Sequence, residues 1–356
     1  MNTSVVTLSF DDALRCAEES AAPAAAWLTP LLACREEDAP RLYAAADRMR
    51  LAHVGSDVHL RGLIEFSNFC RKDCGYCGLR RHNSGIERYR LEPEAIIATA
   101  QRAEALGYRS VVLQSGEDAW FTPARLAEAI RGIKVATQLA VTLSVGERDH
   151  ETYRLWKEAG ADRYLLRIET TDAALFAALH PDDDLEARKA CLYALRDLGY
   201  QLGTGVMVGL PGQTPEMLAR DVIWMHELGA EMIGVGPFIP HPATPLAQAT
   251  GGTVEATLRM VAVLRLVFPD AHLPATTAMG SLHPFGRERA LQAGANVMMP
   301  NVTPTNIRPM YEIYPGKICL GDDAGHCKGC ITGRITRLGR TIGTDQGHVK
   351  RVKDKQ

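Results

Sequence analysis

The stretch Cys70-Arg71-Lys72-Asp73-Cys74-Gly75-Tyr76-Cys77 puts three thiols on one short segment, with three and then two residues between them. Three chemistries use thiols this close. Disulfides fit poorly, because the number is odd and a reducing compartment keeps thiols free. Structural zinc closes a tetrahedron with four ligands, and His82 is the neighbouring candidate for the fourth. An iron–sulfur cluster held by three thiolates leaves one iron open, which is what a catalytic cluster needs. A second triplet, Cys319, Cys327 and Cys330, lies near the other end beside His326. It could hold an auxiliary iron–sulfur site or zinc, or stay an empty thiol cluster. Six of the nine cysteines therefore fall in two clusters, a pattern that points to metal. Cys16, Cys34 and Cys191 stand alone and read as small buried hydrophobes. His241 sits in no ligand array and reads as a loop residue.

The elements that position these groups follow from hydrophobic periodicity. Eight apolar runs read as strands: His59–Phe66, Ser110–Gln114, Leu139–Ser144, Arg163–Ile168, Gln201–Val208, Met232–Val235, His272–Pro274 and Asn296–Met299. Amphipathic helical segments separate most of them, such as Glu94–Leu106 and one starting at Thr214. Gly107, Gly160, Gly199 and Gly229 stand where helix C-caps belong. Eight βα units over about 240 residues predict an α/β fold, a closed (β/α)8 TIM barrel. The rival is an open doubly wound sheet, but no G-x-G-x-x-G follows the first strand. Residues 1–54 read as an N-terminal helical appendage and 55–300 as the barrel. Residues 301–356 read as an irregular C-terminal cap carrying the second cysteine cluster, ending in a solvated basic tail.

The chain has 356 residues, 46% of them hydrophobic, enough for a large core. Forty Lys and Arg against 42 Asp and Glu leave a formal charge of -2, which argues against nucleic-acid or membrane partners. The N-terminus lacks a basic region, and the apolar stretch 21–34 is too short to span a bilayer. The expectation is a cytoplasmic protein.

In a barrel the strand C-termini share one mouth. Cys70 follows the first strand. The second ends in Gln114-Ser115-Gly116-Glu117-Asp118, where glycine permits close backbone approach; alone this also fits a turn before an acidic helix start. The third ends at Ser144. Alternation along the fourth puts Arg163, Arg167 and Glu169 on one side. Charge facing an apolar barrel is costly unless a ligand or partner compensates it. The fifth, Gly203–Thr214, is glycine-rich around Met207. Thr276 and Thr277 end the seventh and could bind an anion, although threonine pairs are common in strands.

The C-x3-C-x2-C triplet, with Tyr76 before its last cysteine, resembles the signature of radical S-adenosylmethionine (SAM) enzymes. The fourth iron of such a [4Fe–4S] cluster is chelated by SAM, so the missing ligand would be the cofactor. The stretches FSNFCRKDCGYCGLRR, VLQSGED, WKEAGADRYLLRIET, MVGLPGQT, GVGPFIPHPATPLA, PATTAMG and YPGKICL resemble the HydE family of [FeFe]-hydrogenase maturases over about residues 55–330. That family is related to biotin synthase and methylornithine synthase. The resemblance implies that Cys70, Cys74 and Cys77 hold the cluster. It implies that Tyr76, Gln114, Gly116, Glu117, Ser144, Glu169, Arg188 and Met207 bind SAM, Glu169 through the ribose hydroxyls and Arg188 through the carboxylate. Arg163, Arg167, Thr276, Thr277, Tyr311 and Tyr314 would line the substrate or anion cavity. Cys319, Cys327 and Cys330 would hold a dispensable second iron–sulfur cluster.

The implied reaction is reductive cleavage of SAM to methionine and a 5′-deoxyadenosyl radical. That radical would act on an iron–cysteine complex carrying carbon monoxide and cyanide during assembly of the H-cluster diiron unit. Implied partners are the maturases HydG and HydF and a reductant such as ferredoxin or flavodoxin. Two other readings stay open. One is another radical SAM reaction, as in methylornithine synthase, whose cavity would need a carboxylate for a substrate amine. The other is a non-catalytic carrier of an iron–sulfur precursor, which has no need of a SAM site.

Overall fold

The computed structural model describes residues 8–19 and 22–349. Seven parallel strands form its centre: β1 (Asp57–Ser67), β2 (Ser110–Ser115), β3 (Ala140–Ser144), β4 (Arg163–Leu165), β5 (Gln201–Val208), β6 (Met232–Pro237) and β7 (Val297–Met298). They pair in the order β6-β5-β4-β3-β2-β1-β7. The run at His272–Pro274 forms no strand. It contributes single parallel bridges, Met232 to His272 and Pro274 to Val297, which close the ring. Pro274 lacks the N–H a continuous ladder requires. The result is the closed barrel expected, with one position reduced to two bridges. A short β8 (Thr341–Ile342) pairs with the start of β1.

The helices run α1 (Phe10–Glu19), α2 (Ala25–Leu32), α3 (Ala39–Val54), α4 (Pro93–Ala105), α5 (Pro123–Ala136), α6 (His150–Glu158) and α7 (Ala173–Leu179). They continue with α8 (Leu185–Asp197), α9 (Pro215–Leu228), α10 (Val254–Val267), α11 (Thr277–Leu282), α12 (Gly286–Gln292) and α13 (Ala324–Arg337). Thr122, Asp149, Asp172, Asp184, Thr214 and Thr253 each accept a hydrogen bond from a first-turn amide, so side-chain N-caps set where six of these helices begin. The four glycines read as C-caps all have positive φ. α2 packs on α9 and α3 on α10, so Trp27, Leu28 and Leu42 extend the barrel's outer core. No helix among the described residues is long and apolar enough to cross a membrane.

The segment after residue 300 is not wholly irregular. It crosses the mouth, forms the 14-residue α13, and runs to the opposite end of the barrel. Of the basic tail, only His348 and Val349 lie within the described residues; they reach the barrel floor, and the rest of the tail lies outside.

Arg163 does not join the mouth. It is the first residue of β4, roughly 13 Å of extended chain below Arg167. Alternation gives the side of a strand, not the height along it. Arg163 Nε donates to Gln201 Oε1 at 3.1 Å, and its Nη2 donates to the Gln346 carbonyl at 2.6 Å. Beside it, Arg61 donates to the Gly347 carbonyl at 3.3 Å. Residues 346–349 thus strap the floor shut.

β5 and β6 approach so closely that a Cβ at Gly205 would overlap the carbonyl oxygen of Gly234. A backbone atom cannot step aside as a side chain can. Gly205→Ala is expected to cost about 3 kcal/mol or more in stability, read as a lowered urea midpoint at unchanged slope.

Candidate active site

A cavity of about 370 Å³ opens at the C-terminal ends of the strands. The segment after β1 carries Cys70, Cys74 and Cys77 to its rim, and backbone hydrogen bonds fix that loop from four sides. Gly75 donates to Leu179 at 2.7 Å, Gly78 to Ile313 at 3.0 Å, Arg71 to Glu117 at 3.0 Å and Arg81 to Lys72 at 2.8 Å. Asp73 is clasped by Arg80 at 2.7 and 2.5 Å. His82 lies 2.7 Å from the same carboxylate. The Nδ1 of His82 is therefore engaged by Asp73. Burial raises all three thiols, and mutual repulsion adds to it for Cys74 and Cys77; Cys77 is pushed up to about 12. Thiolates here need a positive centre among them.

The Gln114–Asp118 turn presses on this loop. A Cβ at Gly116 would collide with the Phe69 carbonyl and lie 2.7 Å from Cys70 Cβ. The next amide, of Glu117, points at Cys70 Sγ from 3.4 Å. The Glu117 carboxylate accepts from Arg71 Nε at 2.9 Å and from the Glu147 amide at 2.8 Å. Asp118 receives Arg90 in a bidentate pair at 2.6 and 3.0 Å and Ser67 Oγ at 2.7 Å. The Arg90 guanidinium also stacks 3.6 Å over Phe69. Burial alone would raise the Asp118 carboxyl, but Arg90, Ser67 and the Trp120 amide outweigh it and hold it below the usual range.

Glu169 follows β4 and bridges Val206 of β5 at φ 65°, one of two non-glycine residues of positive φ among those described. Backbone strain of this kind costs on the order of 1–3 kcal/mol and gathers at functional sites. Tyr76 donates to its Oε1 at 3.4 Å. Arg167 Nη2 stands 3.0 Å from Oε2 as an ion pair, off the line a hydrogen bond needs, so that oxygen's bonding capacity is unused. Desolvation raises the Glu169 carboxyl despite Arg167. Met207 and Tyr76 pack with Leu175, Leu179, Leu210 and Phe238 in a small apolar cluster at the mouth.

Arg188 lines the cavity but already holds two carboxylates. It pairs tightly with Glu147, donates to Asp183 at 2.5 Å, and donates to the Arg167 carbonyl at 2.8 Å. Lys72 completes a closed quartet, 3.1 Å from Glu147 and 2.6 Å from Asp183. Sequence reading missed Lys72, Glu147 and Asp183, although Lys72 stands between two of the cysteines. It also missed Glu65, a buried carboxylate on β1 paired with Lys317 and accepting from Asn301 at 2.7 Å. An acidic residue inside the apolar run of β1 was the available signal. Lys317 also donates to the Tyr311 carbonyl at 3.2 Å, fixing the irregular segment over the cavity. Gln114 reaches the Tyr311 hydroxyl at 3.3 Å.

Ser144, Thr276, Thr277, Tyr311 and Tyr314 line the same cavity, so of the residues singled out in this region only Arg163 is absent. The second triplet lies apart from it. Cys319 is half-buried, Cys327 buried and Cys330 exposed, and Cys327 and Cys330 stand about one turn apart on α13. A hydrogen bond with Cys327 draws the Cys319 thiol down to about 6, with Arg287 assisting. Among the described residues no three His, Cys, Asp or Glu side chains surround one ion position.

A closed βα barrel with three cysteines after its first strand defines a radical SAM enzyme, and the radical SAM superfamily model matches residues 64–225. The HydE subunit of the [FeFe]-hydrogenase maturase from Thermotoga maritima is 50% identical over 87% of this chain and 89% of its own. The chain belongs to the HydE family of [FeFe]-hydrogenase maturases, within the radical SAM superfamily. A 3-methylornithine synthase from Methanosarcina acetivorans is 29% identical over 74% of this chain and 75% of its own. The crystal structure of methylornithine synthase (PylB) superposes with a TM-score of 0.81 at 26% identity, covering 93% of this chain and 97% of that one. That of the maturase HydG gives 0.81 at 18% identity over 96% and 78%, a likeness of fold.

Because the folded Asp118 is more acidic than the unfolded residue, its contribution is full above the unfolded value near 4 and is lost as pH falls through the folded one. Asp118→Asn is expected to melt below wild type at pH 7, with the gap closing towards pH 3, in paired thermal scans.

Proposed function

We propose that this cavity binds a [4Fe–4S] cluster on Cys70, Cys74 and Cys77 and SAM beside it, and acts on a precursor of the hydrogenase diiron unit. The observation carrying this reading is a set of buried polar atoms around the cavity that have no hydrogen-bond partner: Glu169 Oε2, Arg167 Nε, Thr276 Oγ1 and both ring nitrogens of His180. Buried polar groups are rarely left unmade, and several facing one space mark where a polar ligand belongs. The donor set fits the cluster: three thiols on one anchored loop, an amide aimed at Cys70, and a glycine leaving room beside it.

Cluster and SAM together would supply, by one-electron cleavage, a 5′-deoxyadenosyl radical. The chain's own residues do the rest. Gly116 and Glu117 keep the loop and the methionyl side in register. Glu169, held by Tyr76, offers carboxylate oxygen to the ribose hydroxyls, and Gln114, Ser144 and Met207 complete the wall. Arg188 keeps a carboxylate-binding role only if SAM shares it with Glu147 and Asp183. Below the cofactor, Arg167, Thr276, Thr277, Tyr311 and Tyr314 offer cations and hydroxyls to an anionic iron–cysteine complex with carbon monoxide and cyanide. An amino-acid substrate would need a free carboxylate for its amine, and Glu65 is already taken by Lys317 and Asn301. The barrel walls exclude water and stray hydrogen donors.

The proposal extends to HydG and HydF as partners, ferredoxin or flavodoxin as reductant, and Cys319, Cys327 and Cys330 as a peripheral iron–sulfur site. It also takes residues 1–54 as an N-terminal helical appendage, 55–300 as the barrel and 301–356 as a C-terminal cap with the second cysteine cluster.

Two variants test it. Cys74→Ala is expected to abolish 5′-deoxyadenosine production in anaerobically reconstituted protein; full production would overturn the cluster assignment. Thr276→Val is expected to keep SAM cleavage but lower hydrogenase activation by about tenfold, the worth of one good hydrogen bond. Normal activation by that variant would remove Thr276 from the substrate site.

A further inference from the structure

His180 closes α7 and faces the cavity. It is 1% exposed, yet neither ring nitrogen has a hydrogen-bond partner. A buried histidine serving only the core normally satisfies at least one nitrogen, since each unmade bond costs about 1–3 kcal/mol. The ring is nevertheless held firmly. It stacks on Phe176 with centroids 4.5 Å apart and meets the edge of Tyr76 at 5.5 Å. Its own amide donates to Phe176 at 2.9 Å, and the neighbouring Leu179 carbonyl accepts from Gly75 of the cysteine loop. The imidazole is thus fixed against the cysteine loop, with donor and acceptor unspent. Burial, with Arg188 adding to it, holds its basicity far down, to about 3, so the ring is neutral and presents one N–H and one lone pair.

We propose that His180 is a SAM-contacting residue whose imidazole hydrogen-bonds polar atoms of the bound cofactor beside Tyr76. The proposal rests on the reading of the cavity as a SAM site and adds to it a group that no cysteine motif or strand-end pattern identifies. It explains why an unsatisfied ring persists in the ligand-free protein: its partners arrive with the ligand. The arrangement exchanges some ligand-free stability for affinity.

The test compares His180→Phe, which keeps the ring contacts and deletes both nitrogens, with His180→Gln, which keeps a donor and an acceptor and deletes the ring. Full-length reconstituted protein is titrated with radiolabelled SAM by equilibrium dialysis, and melting temperatures are taken without ligand. The H180F protein is expected to melt at or above wild type and to bind SAM about tenfold more weakly, with H180Q retaining more affinity than H180F. If the ring served packing alone, the order reverses: H180Q melts low, and H180F binds SAM within about twofold of wild type. That result overturns the proposal while leaving the cofactor assignment intact. A wild-type protein that binds no SAM at all would overturn both.

Discussion

Strand β1 is hydrogen-bonded along both edges, to β2 on one side and to β7 and β8 on the other. The cysteine loop and the groups that tie down both ends of the cavity take their positions from that strand. Arg61 points to the floor from its lower half, Glu65 ties down the roof from its upper half, and the cysteine loop leaves its end. A ring that failed to close at β7 would leave one edge of β1 unpaired and let the loop's height drift. Closure rests on two bridges and the two-residue strand β7, so the weakest seam of the barrel lies beside its most demanding element.

Charge is managed differently at the two ends of the cavity. Around the cysteine loop, acids and bases are matched: Glu117 with Arg71, Asp118 with Arg90, and Lys72 and Arg188 with Glu147 and Asp183. Buried pairs of this kind add little net stability, but breaking one strands its partner, so they enforce a single geometry. Deeper in, Arg167 still pairs with Glu169 and Lys317 with Glu65, but hydrogen bonding is left incomplete. Arg167, Thr276 and Glu169 keep bonding capacity in hand. The contrast separates a scaffold that must not move from a surface that waits for a ligand.

The barrel and the mouth were largely legible in the sequence because both obey local rules. Apolar runs, C-cap glycines and capping residues repeat with fixed periods, and C-x3-C-x2-C is contiguous. What stayed hidden depends on distance along an axis or on distant pairing. Alternation placed Arg163 on the right face but at the wrong end. Glu147, Asp183 and Lys317 become site residues only when loops far apart in sequence meet. His180 carries no pattern at all; its interest lies in contacts it does not make. Proline in the seventh run marked the one position where a strand could not be completed.

The strap across the floor sets an order of events during synthesis. Arg61 emerges from the ribosome early, but the carbonyl of Gly347 that receives it lies 286 residues further on. The second acceptor of Arg163, at Gln346, comes 183 residues after it. Two guanidinium groups destined for the barrel interior must therefore stay hydrated while the intervening βα units are made. Burying them earlier would leave cations without their acceptors. The nascent barrel can assemble its walls unit by unit, but its base stays open to water until residues 346–349 arrive, which makes completion of the interior a late and non-local step of folding.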